Sequence, residues 1–303
     1  MSHDHGHVTA GQAHRGRLVA VLAITTTVMV VEVVGGLVSG SAALLADAGH
    51  MLTDIGGLTL ALVATSLAAR PATSVRTFGW QRVEVLAAMV NGMVVAAVGI
   101  VVLVEGVRRT ADPQPVGAGV MLAVAVVGLA ANTVGLVLLR RGQAESLNVR
   151  GAYLEVLGDL LGSVAVVVAA VVIATTGFVR ADGLASVVIA LLILPRAYRL
   201  LRQVARVLLE AAPEGVDLDE VRRHLSAVPG VVGVHDLHAW TITSGVPVLS
   251  AHVVVADDIA PCGATPGILD DLQACLRGHF DVDHCTFQVE PASHAAHEGR
   301  THV

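Results

Sequence analysis

Six apolar stretches dominate the sequence, and each is long enough to cross the roughly 30 Å hydrocarbon core of a bilayer as a helix. The chain of 303 residues is 54% hydrophobic and only 15% charged, which is too apolar for a soluble domain of this length. The sequence therefore predicts a polytopic α-helical membrane protein with six transmembrane helices. The predicted spans are Leu18–Val38, Ala42–Leu67, Val83–Val107, Val116–Leu139, Ala152–Thr176 and Leu184–Leu201.

Arginine placement predicts the orientation of these spans, because loops on the cytoplasmic side carry an excess of basic residues. One side of the predicted bundle holds only Arg108, Arg109 and Arg180. Both termini are therefore expected in the cytoplasm. All nineteen basic residues are Arg, which suggests a GC-rich bacterial genome, so the spans are expected in the inner membrane. The N-terminal segment lacks a short apolar core followed by a cleavage site, so we predict a retained tail and not a signal peptide. The arginines of the cytoplasmic side are Arg15, Arg17, Arg70, Arg76, Arg82, Arg140, Arg141, Arg150, Arg196, Arg199, Arg202 and Arg206.

The composition becomes mixed after the sixth span, which predicts a small soluble domain. A helix opened by Asp217, strands over Val231–Ile242 and Val248–Val255, a helix over Thr265–Phe280 and a strand over Cys285–Val289 follow one another. The order α-β-β-α-β predicts a two-layer α+β fold. We expect a His-containing tail at 1–17, a transport domain at 18–207, the soluble domain at 208–290 and a second His-containing tail at 291–303. The tails are expected to bind metal weakly or to deliver it, or to be disordered polar segments.

Charged side chains within the predicted spans carry the functional signal. Span 2 contains Asp47, His50 and Asp54, and span 5 contains Glu155 and Asp159. A carboxylate at this depth costs a few kcal/mol or more, so it needs a partner or a function. Residues four apart lie on one helix face, so the two pairs His50/Asp54 and Glu155/Asp159 give two facing helices four metal ligands. One imidazole with three carboxylates suits a tetrahedral divalent cation such as Zn²⁺.

The polar residues within the spans also allow interpretations that involve no metal. Paired carboxylates can form a proton relay without metal, or bond to Ser and Asn on neighbouring helices. For Glu32, Asn91 and Asn132 we favour interhelical hydrogen bonding over ligation. Asp47, one turn outward of His50 on the same face, is a candidate for the exit path of the ion.

Four segments resemble the signatures of the cation diffusion facilitator family, most closely its bacterial cobalt–zinc–cadmium resistance branch. They are Glu32–Asp54, Phe78–Glu84, Asn148–Ser163 and His235–Trp240. The resemblance implies a homodimer, a ferredoxin-like cytoplasmic domain, and export of metal against inward protons. It also implies that His50, Asp54, Glu155 and Asp159 occupy the transport-site positions.

Glu155 departs from the resembled pattern, because zinc members of the family usually carry His there. Glu exchanges a neutral nitrogen ligand for an anionic oxygen, which suits Mn²⁺ and other hard ions better. Zn²⁺ remains the first expectation, with Cd²⁺ and Co²⁺ beside it, because His50 is kept and Zn²⁺ accepts carboxylates. A Mn²⁺ or Fe²⁺ exporter of the same fold is the alternative.

Histidines also mark the predicted soluble domain. The resemblance suggests that His235, His252, His284 and Glu290 hold a regulatory metal near the dimer seam, with Cys285 a further ligand or a small buried residue. Residues at even spacing share a strand face, so His284 and Glu290 can point the same way. The alternative is that several of them are exposed polar residues of a sheet edge.

Other function classes are disfavoured. A net charge of −6 gives no reason to expect nucleic acid, and no His-Glu-x-x-His or similar catalytic signature indicates an enzyme. A membrane-anchored metal sensor would not need ligands at mid-membrane depth, and a tight four-ligand site would slow the permeation of a channel. We therefore expect a secondary transporter whose partners are divalent metal ions, protons and membrane lipid. Zn²⁺ is its expected substrate and regulatory ligand, with no prosthetic group.

Overall fold

The structure is a computed structural model that describes residues 10–140, 147–257, 265–280, 282, 284–295 and 297. It divides into two compact units, 1–62 with 89–201 and 63–88 with 202–303. The extreme N-terminal histidines, the segment 141–146, Cys262 and His302 lie outside the described residues.

Six long helices form at the predicted spans, and each is long and apolar enough to cross a membrane. Most run beyond the predicted bounds, because an apolar window marks only the part of a helix that meets hydrocarbon. The helices are α1 (Ala10–Ser39), α2 (Ala42–Ala68), α3 (Arg82–Ala111), α4 (Ala118–Arg140), α5 (Leu147–Thr176) and α6 (Arg180–Leu208).

The turn between α1 and α2 is very short, in agreement with predicted spans that end at Val38 and resume at Ala42, and Gly40 adopts a φ of 72° there. That left-handed conformation favours glycine. Asp182 of α6 caps the N-terminus of α2. Its carboxylate accepts from the Ser41 hydroxyl at 2.6 Å and from the backbone N–H groups of Ala42 and Ala43 at 2.9 and 3.2 Å. Arg109 of α3 lies 3.4 Å from the same carboxylate. These contacts fix the N-terminal end of α2, the helix that carries His50 and Asp54.

The core of the first unit is built from small and branched side chains. Ala43, Ala125, Ala170 and Ile189 are among its buried members, drawn from α2, α4, α5 and α6. Helices in a membrane associate through close van der Waals packing, which small residues permit. The abundance of Ala and Val is therefore consistent with tight helix packing around the polar residues of the predicted site.

The second unit contains the soluble domain, with α7 (Leu218–Ser226), β1 (Val231–Thr241), β2 (Pro247–Val255), α8 (Thr265–Phe280), β3 (His284–Pro291) and the short α9 (Ala292–Ala295). The three strands form one sheet in the order β1-β2-β3, with the first pair antiparallel and the second parallel. Asp217 caps α7 by accepting from two backbone N–H groups of its first turn. The apolar faces of α7, α8 and the sheet enclose one core that includes Leu225, Leu249 and Leu272. The predicted two-layer α+β fold is confirmed.

The segment between α2 and α3 belongs to the second unit and contacts its soluble domain. The ring of Phe78 lies edge-on to His284 with 5.4 Å between centroids. Thr243 donates to Glu84 at 2.8 Å, and Arg82 pairs with Glu210 at 3.3 Å.

Candidate metal centre

Helices α2 and α5 bring three of the four predicted transport ligands together. One ligand atom from each of His50, Asp54 and Asp159 lies within 4.8 Å of the others. His50 Nε2 is 3.7 Å from Asp54 Oδ2 and 3.8 Å from Asp159 Oδ1. The four-residue spacing of His50 and Asp54 produces this, because it stacks the two side chains on one face of α2. Donor atoms of a tetrahedral Zn²⁺ lie roughly 3.3 Å apart, so small side-chain shifts would close these distances around an ion.

The fourth predicted ligand, Glu155, has another partner. Its Oε1 accepts from Arg196 Nη2 of α6 at 2.5 Å. The same guanidinium reaches Asp54 Oδ2 through Nη1 at 3.5 Å. Glu155 is therefore outside the three-residue cluster in this arrangement, and an ion bound by all four residues would require the guanidinium to give up its contacts.

Two of the three clustered residues are buried, and Asp54 is partly buried. Asp159 is 2% exposed and His50 7% exposed. Asp159 Oδ1 and His50 Nδ1 have no hydrogen-bond partner among the described residues. Unsatisfied buried polar atoms are costly, so their presence in one cluster is consistent with a site that binds a cation. A cavity of about 170 Å³ adjoins the cluster and is lined in part by Asp47, His50, Gly158 and Arg196.

A buried polar path extends the cluster towards the outer end of α2. Asp47, one turn outward of His50, accepts from the Ser163 hydroxyl at 3.5 Å, and Asn132 donates to the same hydroxyl at 3.1 Å. The predicted role of Asn132 as an interhelical hydrogen-bond partner is confirmed. Gly162 makes the room that Asp47 requires, because a Cβ there would lie 2.7 Å from Asp47 Oδ1.

Glu32 does not make the interhelical hydrogen bond that the sequence suggests. It is 1% exposed, and its Oε2 has no partner among the described residues. Its other oxygen packs against Gly128 of α4, where a Cβ would approach it to 2.6 Å. Glu32 is thus a buried carboxylate without a hydrogen-bond partner at Oε2. The expectation was wrong because a hydrogen bond between helices depends on which side chains the helix packing places beside the carboxylate.

The soluble domain assembles a second cluster from three of its four predicted ligands. His235 Nε2 donates to Glu290 Oε1 at 2.6 Å, and His252 Nδ1 lies 3.8 Å from Glu290 Oε2. His235 and His252 are directly paired across β1 and β2, with ring centroids 5.0 Å apart. Burial alone would raise the pKa of Glu290, but hydrogen bonds from His235 and Gln288 outweigh it and lower that pKa.

Asp236 also lies in this cluster, although the sequence did not predict it as a ligand. Its φ of 46° falls at the irregularity in the pairing of β1 between His235 and His238, and its Oδ2 lies 3.1 Å from His235 Nδ1. A bulge turns an extra side chain towards its neighbours, and Asp is one of the residues that tolerate the left-handed region. His235, Asp236 and His252 form a group with metal-ligand spacing.

His284 lies away from the other predicted ligands of its domain. It pairs with Val248 at the start of β3, whereas Glu290 pairs with Val254 near the other end. Six residues along a strand separate side chains by about 20 Å, so the shared face does not bring His284 and Glu290 together within one chain. His284 contacts Phe78 instead.

Comparison with known proteins gives a consistent result. The chain matches the cation efflux transmembrane domain over residues 18–209 and the cytoplasmic domain of cation efflux proteins over residues 213–292. It is 43% identical to the metal cation efflux system protein CzcD of Cupriavidus metallidurans, over 96% of this chain and 91% of that one. It is 42% identical to the zinc transporter ZitB of Escherichia coli, over 96% and 93% of the two chains.

Two further matches complete the comparison. A cadmium, cobalt and zinc/H(+)-K(+) antiporter of Bacillus subtilis is 36% identical over 97% of this chain and 93% of its own. The solved metal-bound C-terminal domain of the CzcD transporter is 40% identical and covers 25% of this chain and 99% of its own, with a TM-score of 0.23.

Proposed function

The chain belongs to the cation efflux family, and from this membership we propose that it exports Zn²⁺ from the cytoplasm in exchange for protons, with Cd²⁺ and Co²⁺ as further substrates. It is a multi-pass inner-membrane protein with a cytoplasmic C-terminal domain. It acts as a secondary transporter and not as an enzyme. The transport ligands are His50, Asp54, Asp159 and Glu155.

The observation that supports this proposal most strongly is the buried cluster of His50, Asp54 and Asp159, whose ligand atoms lie within 4.8 Å of one another. Two carboxylates and an imidazole at this depth are costly in hydrocarbon unless a cation or protons neutralise them. A divalent ion bound between His50 Nε2 and Asp159 Oδ1 would give the unpartnered Oδ1 a cationic partner.

Exchange with protons follows from the chemistry of these ligands. Each must be deprotonated to bind metal, so metal entering from the cytoplasm expels protons, and protons arriving from outside expel metal. His50 is the ligand expected to exchange protons, because imidazole does so near neutral pH. Asp47, Ser163 and Asn132 extend the polar path outward and are suited to pass ions or protons towards the outer face.

The second candidate substrate class is Mn²⁺ or Fe²⁺, and Glu155 is the residue that favours it. Its carboxylate makes the full ligand set richer in oxygen, which hard ions prefer. The retained imidazole of His50, however, favours Zn²⁺. We therefore keep zinc as the principal substrate.

The cytoplasmic domain is proposed to hold regulatory metal and to mediate a homodimer. His235, His252 and Glu290, with Asp236 beside them, supply imidazoles and carboxylates at distances that small side-chain shifts would close around Zn²⁺. The proposed dimer places two such domains together. His284 then has a role only if a partner copy supplies the ligands that its own chain holds elsewhere.

Uptake of metal into proteoliposomes tests the function. Zn²⁺, Cd²⁺, Co²⁺ and Mn²⁺ are supplied in turn, with and without a pH gradient at clamped membrane potential. We expect zinc transport that accelerates when the opposite compartment is acidic. Asp112→Asn serves as a control for a carboxylate outside the site, since Asp112 lies in an exposed turn after α3. Transport rates that are the same with and without the pH gradient would exclude proton exchange. Metal binding without any transport would favour a membrane-anchored sensor.

A further inference from the structure

Arg196 is the one cation in direct contact with the candidate transport ligands among the residues that the structure describes. It lies on α6 directly after Pro195. Its guanidinium contacts Glu155 Oε1 at 2.5 Å and Asp54 Oδ2 at 3.5 Å. It is not among the proposed transport ligands.

The contacts of Arg196 are confined to one level of the site. Asp54 follows His50 by one turn towards the cytoplasmic end of α2, and Glu155 precedes Asp159 by one turn on α5, which runs in the opposite direction. Asp54 and Glu155 therefore form the inner pair of ligands, and His50 and Asp159 form the outer pair. The guanidinium binds the inner pair, which metal from the cytoplasm meets first.

We propose that Arg196 is a tethered competitor of the transported metal, which neutralises Asp54 and Glu155 when no metal is bound and withdraws when a divalent ion enters. The inference rests on the proposed function. It concerns the same site, but it gives a role to a residue that does not itself bind the metal.

The physical properties of the guanidinium fit this role. It stays charged at any physiological pH, so it competes with metal without taking up or releasing a proton. Its fork of donors can hold two carboxylates at once, but a single positive charge binds them less strongly than a divalent ion does. Competition of this kind lowers the metal affinity of the site and speeds release of the ion.

The structure also gives the side chain room to leave. Arg196 is 44% exposed and Glu155 35%, whereas Asp54 is 12% exposed. The guanidinium thus approaches the ligands from an accessible side, where the cavity of about 170 Å³ is lined by Arg196 and Gly158. A Cβ at Gly158 would meet nothing within 4 Å, so this stretch of α5 does not obstruct the movement.

The competing explanation is that Arg196 only holds α6 against α2 and α5. The two roles predict opposite effects on metal binding. Removing a competitor strengthens binding, whereas removing a structural contact loosens the ligands and weakens binding. A substitution that keeps the charge also separates them, because Lys can still compete but lacks the two-branched geometry of the guanidinium.

The test compares native protein with Arg196→Gln, Arg196→Lys and the control Arg202→Gln, an exposed arginine further along α6. Zinc affinity is measured by calorimetry on the full chain in lipid nanodiscs, with His235→Ala and His252→Ala present in every protein so that the cytoplasmic cluster does not contribute. The Zn²⁺ concentration dependence of transport is measured in proteoliposomes. We expect Arg196→Gln to bind zinc about tenfold more tightly and to show a lower KM with a lower kcat. Arg196→Lys and Arg202→Gln should stay within about threefold of the native affinity.

A matched pair of proteins identifies the contact responsible. In a Glu155→Gln background the guanidinium loses one of its two carboxylate partners, so the gain from Arg196→Gln should shrink. Equal or weaker zinc binding by Arg196→Gln would overturn the proposal, as would equal losses in the Gln and Lys variants. Absence of zinc transport by the native protein would refute the proposed function instead, and the calorimetric comparison would still test the competition.

Discussion

Asp182→Ala should destabilise the protein strongly although the residue is no metal ligand. Asp182 is 1% exposed, and its carboxylate accepts three hydrogen bonds from the start of α2, at 2.6, 2.9 and 3.2 Å. It also pairs with Arg109, whose side chain is only 18% exposed. Truncation leaves the Ser41 hydroxyl and two buried N–H groups without this acceptor and removes one of the anionic partners of Arg109, which retains Glu105. Breaking such a pair typically costs about 3–5 kcal/mol.

The assay is the fraction of protein that stays monodisperse in detergent after heating, measured by size-exclusion chromatography. A loss of this size corresponds to a fall in Tm of roughly 10 °C. Asp182→Asn keeps one acceptor oxygen, so its free energy of unfolding should fall by about half as much. Asp112→Ala, in an exposed turn on the same side, should change stability by no more than about 0.5 kcal/mol. If Asp182→Ala has the same Tm as the native protein, the cap does not anchor α2, and the positioning of His50 and Asp54 must have another cause.

Three further predictions concern the metal sites. Asp54→Ala or Asp159→Ala should abolish zinc transport while the protein still inserts and dimerises, because each removes a charged ligand; near-normal efflux at matched expression would contradict the four-ligand site. Glu155→His should keep or improve zinc and cadmium transport and weaken any manganese or iron transport, since an anionic oxygen becomes a neutral nitrogen; an identical order of ions in native, Glu155→His and Glu155→Ala proteins would show that Glu155 is no ligand. Because the pKa of Glu290 is lowered, its stabilising pair with His235 is present above the ordinary carboxyl value of 4.5 and is lost as pH falls through the lowered value. Thermal unfolding of chelator-treated protein should therefore become less pH-dependent in this acidic range in Glu290→Gln, and unchanged acid sensitivity would refute it.

The helices of the membrane part were predictable because hydropathy alone reports them. A run of apolar residues interrupted by few charges has no other stable structure in a bilayer, where every backbone polar group must be satisfied. The short turn at Gly40 and the strands at His235 and His252 followed from equally local signals. The pairing of His50 with Asp54 was predictable for the same reason, since the spacing lies within one helix.

Contacts between helices were not predictable in the same way. Arg196 counted as a marker of orientation because arginines are common near the cytoplasmic end of a span. Its contact with Glu155 depends on how α5 and α6 are rotated against each other, and periodicity in one helix does not fix that rotation. Asp182 was missed for the same reason, although an acidic residue in the first turn of a helix is a recognisable signal.

The soluble domain shows the limit of strand periodicity. Alternation placed His284 and Glu290 on one face, but distance along β3 separates them. Asp236 was missed because alternation assigns it to the face opposite His235, and the irregularity of β1 with its positive φ changes that assignment. The only local signal is Asp236 itself, since Asp is depleted in regular strands, but a single residue does not locate a bulge.

Simultaneous recording of zinc and proton flux shows whether the two ions are exchanged at the site of His50, Asp54 and Asp159. Native protein and Asp159→Asn are reconstituted at equal density, the membrane potential is clamped at zero, and internal dyes report Zn²⁺ and pH in the same vesicles. An imposed zinc gradient should drive protons in the opposite direction through the native protein, and both fluxes should vanish in Asp159→Asn. Zinc movement without proton movement, or equal fluxes in the variant, would contradict exchange at the buried site of His50, Asp54 and Asp159.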